Sequence, residues 1–291
     1  MYYFIYGLLY LVSLLPFWVL YRVSDLAYII LYYITGYRKQ VVMSNLTIAF
    51  PDKSDNEKKL IAKKFYKNFT DNFIEVIKLF SISPAQLQKR FTADISDLNK
   101  YYATGKNVQL HLAHFFNWEY ANLTLGLGSD YPVLVVYMPI ANKSFNKVFH
   151  KLRTRFNAKM IAANSYLKEF KPYSKERFCL VFVADQNAPK AAQAYWLPFF
   201  GRLTSFVTGP EKSARLTNAV CLYIKFKKIK RGHYHGQIFE ISDNPRQTAE
   251  GDITKGFVKF IEENMREQPE NYLWSHRRWK YTYDPTRHRA L

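Results

Sequence analysis

Acidic residues are scarce in this chain: 23 Asp and Glu stand against 42 Lys and Arg, leaving a formal charge of +19 over 291 residues. Such an imbalance calls for an anionic partner, and charge alone does not choose among nucleic acid, a lipid headgroup and an acidic protein. Cysteine is nearly missing. Cys179 and Cys221 are the only two, each inside an apolar, strand-like run ("RFCLVFVA", "NAVCLYIKF"), which reads as a pair of buried reduced thiols in a cytoplasmic compartment rather than a disulfide framework. No Gly-rich phosphate loop is present, so no nucleotide cofactor is expected. No Gly-x-Ser-x-Gly elbow or exposed cysteine motif offers a covalent nucleophile. No Pro/Gly/Ser-rich linker and no internal repeat divides the chain, so residues 36–291 read as one large domain.

Charge is also absent from Met1 to Tyr21, where every residue but Ser13 is apolar or aromatic. About 20 such residues suffice to cross a hydrocarbon core, and Pro16 interrupts this run. Nothing basic precedes it and no small-residue cleavage site follows, so residues 1–35 are expected to stay attached as a hydrophobic anchoring helix. Arg22, Arg38 and Lys39 lie just beyond, and the positive-inside bias then puts the remaining chain on the cytoplasmic side. The second apolar stretch, Leu26 to Ile34, is too short to span by itself and reads as an interfacial or core helix. A kinked hairpin in one leaflet therefore competes with a single span. Aromatic residues, 18% of the chain and dense in its first 35 positions, match an interfacial belt.

Beyond Lys53 to Leu79, an amphipathic helix with Phe65, Phe69, Phe73, Val76 and Ile77 on one side, strand-like and helical runs alternate. Strands are expected at Val108–Ala113, Val133–Tyr137, Phe178–Ala184 and Cys221–Lys227. Helices are expected at Trp118–Leu125, Ser144–Arg155, Glu211–Leu216 and Asp252–Arg266. The pattern predicts an α/β fold with a central, largely parallel sheet flanked by helices, and "KKIKRGHYHGQIFEIS" adds a turn into an antiparallel edge strand.

In "VQLHLAHFFNWEY", His114 ends a buried strand and Glu119 follows after four intervening residues. On one continuous helix the two side chains would diverge by about 140°. A turn at Phe115–Asn117, with Asn117 capping the next helix, removes that conflict and lets Glu119 hold one ring nitrogen while the other acts as a general base. Ligands of a parallel sheet bind beyond the carboxyl ends of its strands, and "LVFVADQ" brings Asp185 and Gln186 to the same end, so these four residues are expected to share one crevice. His111 reads as buried packing. It cannot share a metal with His114 from the opposite face of a strand, and His233 and His235 beside a basic turn form no metal site, so none is expected.

"HFFNWE" resembles the His-x4-Asp/Glu motif of the lysophospholipid and lipid A acyltransferases, and its Asn-Trp-Glu form is similar to the late acyltransferases of lipid A biosynthesis. "YRKQVVMSNLTIAFPDKS", "VADQNAP…WLPFFGRLTSFVTGPEKSAR" and "YLWSHRRWK" resemble further segments of that family, in the same order along nearly the whole chain. Met138 stands where the family often has Arg. The resemblance implies direct transfer of a fatty acyl group from the thioester of acyl carrier protein to a hydroxyl of a lipid A precursor, an anionic glycolipid, at the bacterial inner membrane. It implies a catalytic His114 and Glu119, with Asn117, Arg153, Asp185, Gln186, Arg277 and Arg278 binding or supporting; Arg155 and Arg202 are further candidates for phosphate or carrier contacts. The same site would also suit a lysophospholipid, an acyl-amino-acid lipid or a mannosylated glycolipid. The reading from another class, a noncatalytic basic membrane-surface protein that binds nucleic acid or anionic lipid, is weakened for nucleic acid because Tyr and Phe sit inside apolar runs rather than among exposed Lys and Arg.

Overall fold

The computed structural model describes residues 1–291. Pro16 splits the first apolar run, since its ring cannot continue a helix, giving α1 (Tyr2–Leu14) and α2 (Phe17–Ile29), and α2 runs on into a π-turn at Ile30–Ile34. The uncharged run Met1–Tyr21 is therefore broken at Pro16, as expected, and an apolar helix does lie within residues 1–35. The one helix long and apolar enough to cross a membrane is Phe17–Ile34, which includes the stretch that looked too short. Next come α3 (Lys39–Ala49) and the 24-residue α4 (Asp55–Lys78), opened by a capping box between Ser54 and Glu57. Phe65, Phe69 and Val76 are buried on α4 as expected, whereas Phe73 points to solvent and the carboxylates of Asp71 and Glu75 point inward.

A short helix α5 (Pro84–Arg90) and β1 (Phe91–Ala93) lead through α6 (Ile95–Ala103) to the alternating region. There β2 (Val108–Leu112), α7 (Trp118–Gly128), β3 (Val133–Tyr137), α8 (Lys143–Arg153), β4 (Lys159–Ala162), α9 (Tyr166–Phe170) and β5 (Cys179–Val183) follow in turn. A two-stranded hairpin, β6 (Tyr195–Phe199) with β7 (Arg202–Phe206), stands apart from the main sheet, and α10 (Gly209–Thr217), β8 (Val220–Lys230), β9 (His233–Ser242) and α11 (Asp252–Glu267) complete the order.

The main sheet has seven strands in the order β1-β9-β8-β2-β5-β3-β4, parallel except where β9 returns beside β8. The predicted antiparallel strand is thus present, but it is not the edge, because β1 covers it in parallel. Strand β2 lies at the centre and every one of its residues is buried. A single large apolar cluster runs from β2, β5 and β8 out to α4, α7 and α11. Cys179 and Cys221 are free and buried, and burial pushes both thiols up, Cys221 to about 12.

Candidate active site

Strands β2 and β5 pair in parallel with Leu112 opposite Val183, so chain continuation at the same rate places His114 opposite Asp185, two residues past each strand's end. Their side chains meet: His114 Nδ1–H donates to Asp185 Oδ1 at 2.7 Å. Asp185 is buried, and burial alone would raise its carboxyl, but the charge and hydrogen bonds of His114 outweigh that and hold it below the usual carboxylate range. On the other side of the ring, the Gln186 amide lies 3.4 Å from His114 Nε2.

The carboxylate on His114 is therefore Asp185, and the expected bond from Glu119 is corrected. Asn117 does cap α7, accepting from the Tyr120 backbone N–H at 3.0 Å. The turn carries Glu119 into the first turn of α7, where it faces the last residue of α8. There Arg153 grips it in a forked pair, Nε donating to both oxygens at 3.1 and 3.0 Å and an Nη2–H to Oε1 at 2.5 Å. Burial opposes the charge on Arg153, yet Glu119 more than compensates and raises the guanidinium. Trp118 joins the two groups: its ring stands edge-on to His114 at 5.2 Å and its indole N–H donates to Glu119 at 3.2 Å. Glu119 and Arg153 thus brace the wall of the site rather than the imidazole.

Residues 271–278 close the site from above. Phe116 N–H donates to the Asn271 carbonyl at 3.0 Å and Leu273 N–H to that of His114 at 3.1 Å, so this segment is stitched to the His114 turn. Asn45 of α3 donates to the Trp274 and His276 carbonyls, and Asn187, next to Gln186, donates to the Arg277 carbonyl at 2.8 Å. Arg278 is buried, donates to Asn187 Oδ1 at 2.8 Å and stacks its guanidinium over Phe206. Burial lowers its affinity for a proton to about 10. Of the binding or supporting roles expected for Arg278, the structure gives it a buried clamp on the Asp185–Asn187 loop, while Arg277 and Arg202 are exposed and Arg155 donates to the Leu79 carbonyl. The sequence reading missed Asn187, and Tyr272, whose hydroxyl helps hold the Asp185 carboxyl low; an amide immediately after Asp185-Gln186 was the available signal.

The carboxyl ends of β3, β4 and β5 open into a cleft of about 890 Å³. Val136, Ala163, Tyr166, Phe182, Ala184 and Val207 give it apolar walls, and Gln186, whose amide lies 3.4 Å from His114 Nε2, is among its lining residues, so the imidazole stands one side chain from the cleft. An imidazole whose far nitrogen is pinned by a buried carboxylate can take a proton from a hydroxyl beside an apolar chain, with no serine or cysteine nucleophile in the arrangement. Such an arrangement suits group transfer to a hydroxyl beside an apolar cleft in an α/β fold.

Comparison with known proteins narrows the class. The family described as "Bacterial lipid A biosynthesis acyltransferase" matches residues 1–281, and the chain belongs to it. It is 24% identical over 247 residues to a lipid A biosynthesis palmitoleoyltransferase of Escherichia coli (strain K12), covering 84% of this chain and 79% of that one. It is 23% identical over 236 residues to a lipid A biosynthesis acyltransferase of Haemophilus influenzae, covering 79% and 72%.

Proposed function

We propose that this acyltransferase moves a fatty acyl chain from acyl carrier protein to a hydroxyl of a lipid A precursor, by direct attack, on the cytoplasmic side of the inner membrane. The observation that carries this reading is the His114–Asp185 bond of 2.7 Å, one side chain away from the apolar cleft that Gln186 lines. His114 Nε2 takes the acceptor hydroxyl's proton as its oxygen forms the new bond to the thioester carbon. Asp185 holds the ring in the tautomer that leaves Nε2 free and offsets the charge of the imidazolium. When the carbon–sulfur bond breaks, the imidazolium returns the proton to the departing thiolate, which balances the step without a cofactor. The cleft accommodates the acyl chain, and the +19 charge suits an acidic carrier and an anionic glycolipid.

The test is transfer of a labelled acyl group from acyl carrier protein to a lipid A precursor by the purified full chain in detergent. Wild type should transfer, and His114→Ala should lose about 10²- to 10⁴-fold or more while keeping its thermal melt. Near wild-type transfer by His114→Ala would sink the mechanism. Transfer to a lysophospholipid in preference to the glycolipid would keep the chemistry and replace the acceptor.

A further inference from the structure

We infer that α1 and α2 form a hairpin lying in the plane of one membrane leaflet, docked along its whole length on the catalytic domain, so that Phe17–Ile34 does not span the bilayer. The inference rests on the membrane association proposed above. By length the helix is close to sufficient, since 18 residues at 1.5 Å reach about 27 Å against a core of about 30 Å. Its partners are what forbid the crossing.

The hairpin is bolted down at successive points. Near its start, Tyr6 packs edge-on against Phe80 at 5.5 Å. At the Pro16 corner the buried ammonium of Lys78 donates to the carbonyls of Ser13 and Leu15 at 2.8 and 2.9 Å, satisfying groups that the end of α1 leaves open. Along α2, the Tyr21 hydroxyl donates to Glu75 and that of Ser24 to Asp71 at 2.7 Å. Arg231, in the β8–β9 turn, bridges Asp25 of α2 and Asp71 of α4. At the far end Tyr32 packs on Tyr66 at 5.3 Å.

These pairs make α2 antiparallel to α4, with Tyr21 at Glu75 and Tyr32 at Tyr66. If Phe17–Ile34 crossed the membrane in this arrangement, the turns of α4 bearing the exposed Lys63, Lys64 and Lys67 would travel to the opposite face. Asp71, Lys228 and Arg231 would be held at hydrocarbon depth, where each charge costs about 2.5 to 3.5 kcal/mol or more. An in-plane hairpin has no such cost. Its outward face carries Phe4, Leu8, Leu11, Trp18, Leu26 and Ile34, each more than half exposed. Lysines rim that face: Lys39 lies 4.2 Å from the Tyr32 ring, Lys151 4.2 Å from Tyr6 and Lys147 5.0 Å from Tyr2. Apolar groups inside a border of tyrosine and lysine fit acyl chains below and anionic headgroups around them.

The experiment places one protease-cleavable epitope before Met1 and a second after Leu291 in the full chain, then digests sealed right-side-out and inside-out vesicles of bacterial inner membrane. The in-plane hairpin requires both epitopes to be cut in the same vesicle orientation, and both to remain with the membrane after a carbonate wash. Cutting in opposite orientations overturns the hairpin and leaves the acyltransferase reading intact. Release of the protein by carbonate overturns the membrane association itself, and the hairpin with it.

Discussion

Replacing Asp185 by Asn keeps the volume at the end of β5 and removes one charge from a side chain that is 1% exposed. The 2.7 Å bond to His114 Nδ1 either weakens to a neutral one or reverses, because an amide can present N–H as well as C=O and then favours the wrong tautomer. Turnover should fall by about 10²- to 10⁴-fold, equivalent to about 3 to 5 kcal/mol of transition-state stabilisation. The folded state loses only a charge-assisted hydrogen bond, about 1.5 to 3 kcal/mol. That loss has a pH signature. Because the folded carboxyl titrates below its ordinary value, the stability that Asp contributes over Asn is full above about 3.9 and disappears as pH falls through the lower folded value. The assay is turnover at saturating donor and acceptor, with a denaturation curve on the same preparation. Glu119→Gln, measured alongside, should retain more turnover than Asp185→Asn. The reverse order, with Asp185→Asn close to wild type and Glu119→Gln inactive though folded, would return the imidazole's carboxylate to Glu119 and refute the assignment made from register.

Glu119→Ala and Arg153→Ala should each cost about 3 kcal/mol of stability, the low end for a buried pair because 21% of the Arg153 side chain meets solvent, and the double variant should lose clearly less than the sum; a denaturation double-mutant cycle measures the difference. Burial pushes His111 down to about 4, where its Nε2 accepts from the Gln109 amide, so below about pH 6.5 the unfolded chain takes up a proton that the folded chain refuses. Stability should therefore decline by up to about 3 kcal/mol between pH 6.5 and 4, and His111→Gln should remove that part of the slope in acid titrations of the melting temperature. Ala163→Trp, which fills the cleft beyond β4, should raise the Michaelis constant for long acyl donors more than for short ones; an equal effect on both would place the chain elsewhere.

The central strands could be read directly because each is a short apolar run ending in polar residues, and "LHLAH" and "VFVAD" carry the same offset from strand to side chain. That offset, rather than closeness along the chain, decides which carboxylate meets the imidazole: parallel neighbours in register align, whereas a turn and a helix cap carried Glu119 off to Arg153. Other elements left little trace. Phe91–Ala93 is three residues long, and Lys159–Ala162 is an edge strand begun by a lysine. The β6–β7 hairpin hides behind Pro198 and turns through Phe200 and Gly201, both at positive φ, a conformation that phenylalanine does not advertise. Arg277 and Arg278 share one expected role, binding or supporting, because nothing in "HRRW" tells which arginine the fold buries.

The segment at residues 271–278 that stitches the His114 turn to the Asp185 loop comes back to them from far along the chain, Asn271 bonding to a carbonyl 155 residues before it. Contacts so distant in sequence carry a larger loop-closure cost than those between neighbouring strands, so the sheet can assemble before this strip fixes the two strand ends together. Removing the chain from Asn271 onward would thus leave the sheet in place with its two strand ends unfastened, a scaffold around an unfinished site.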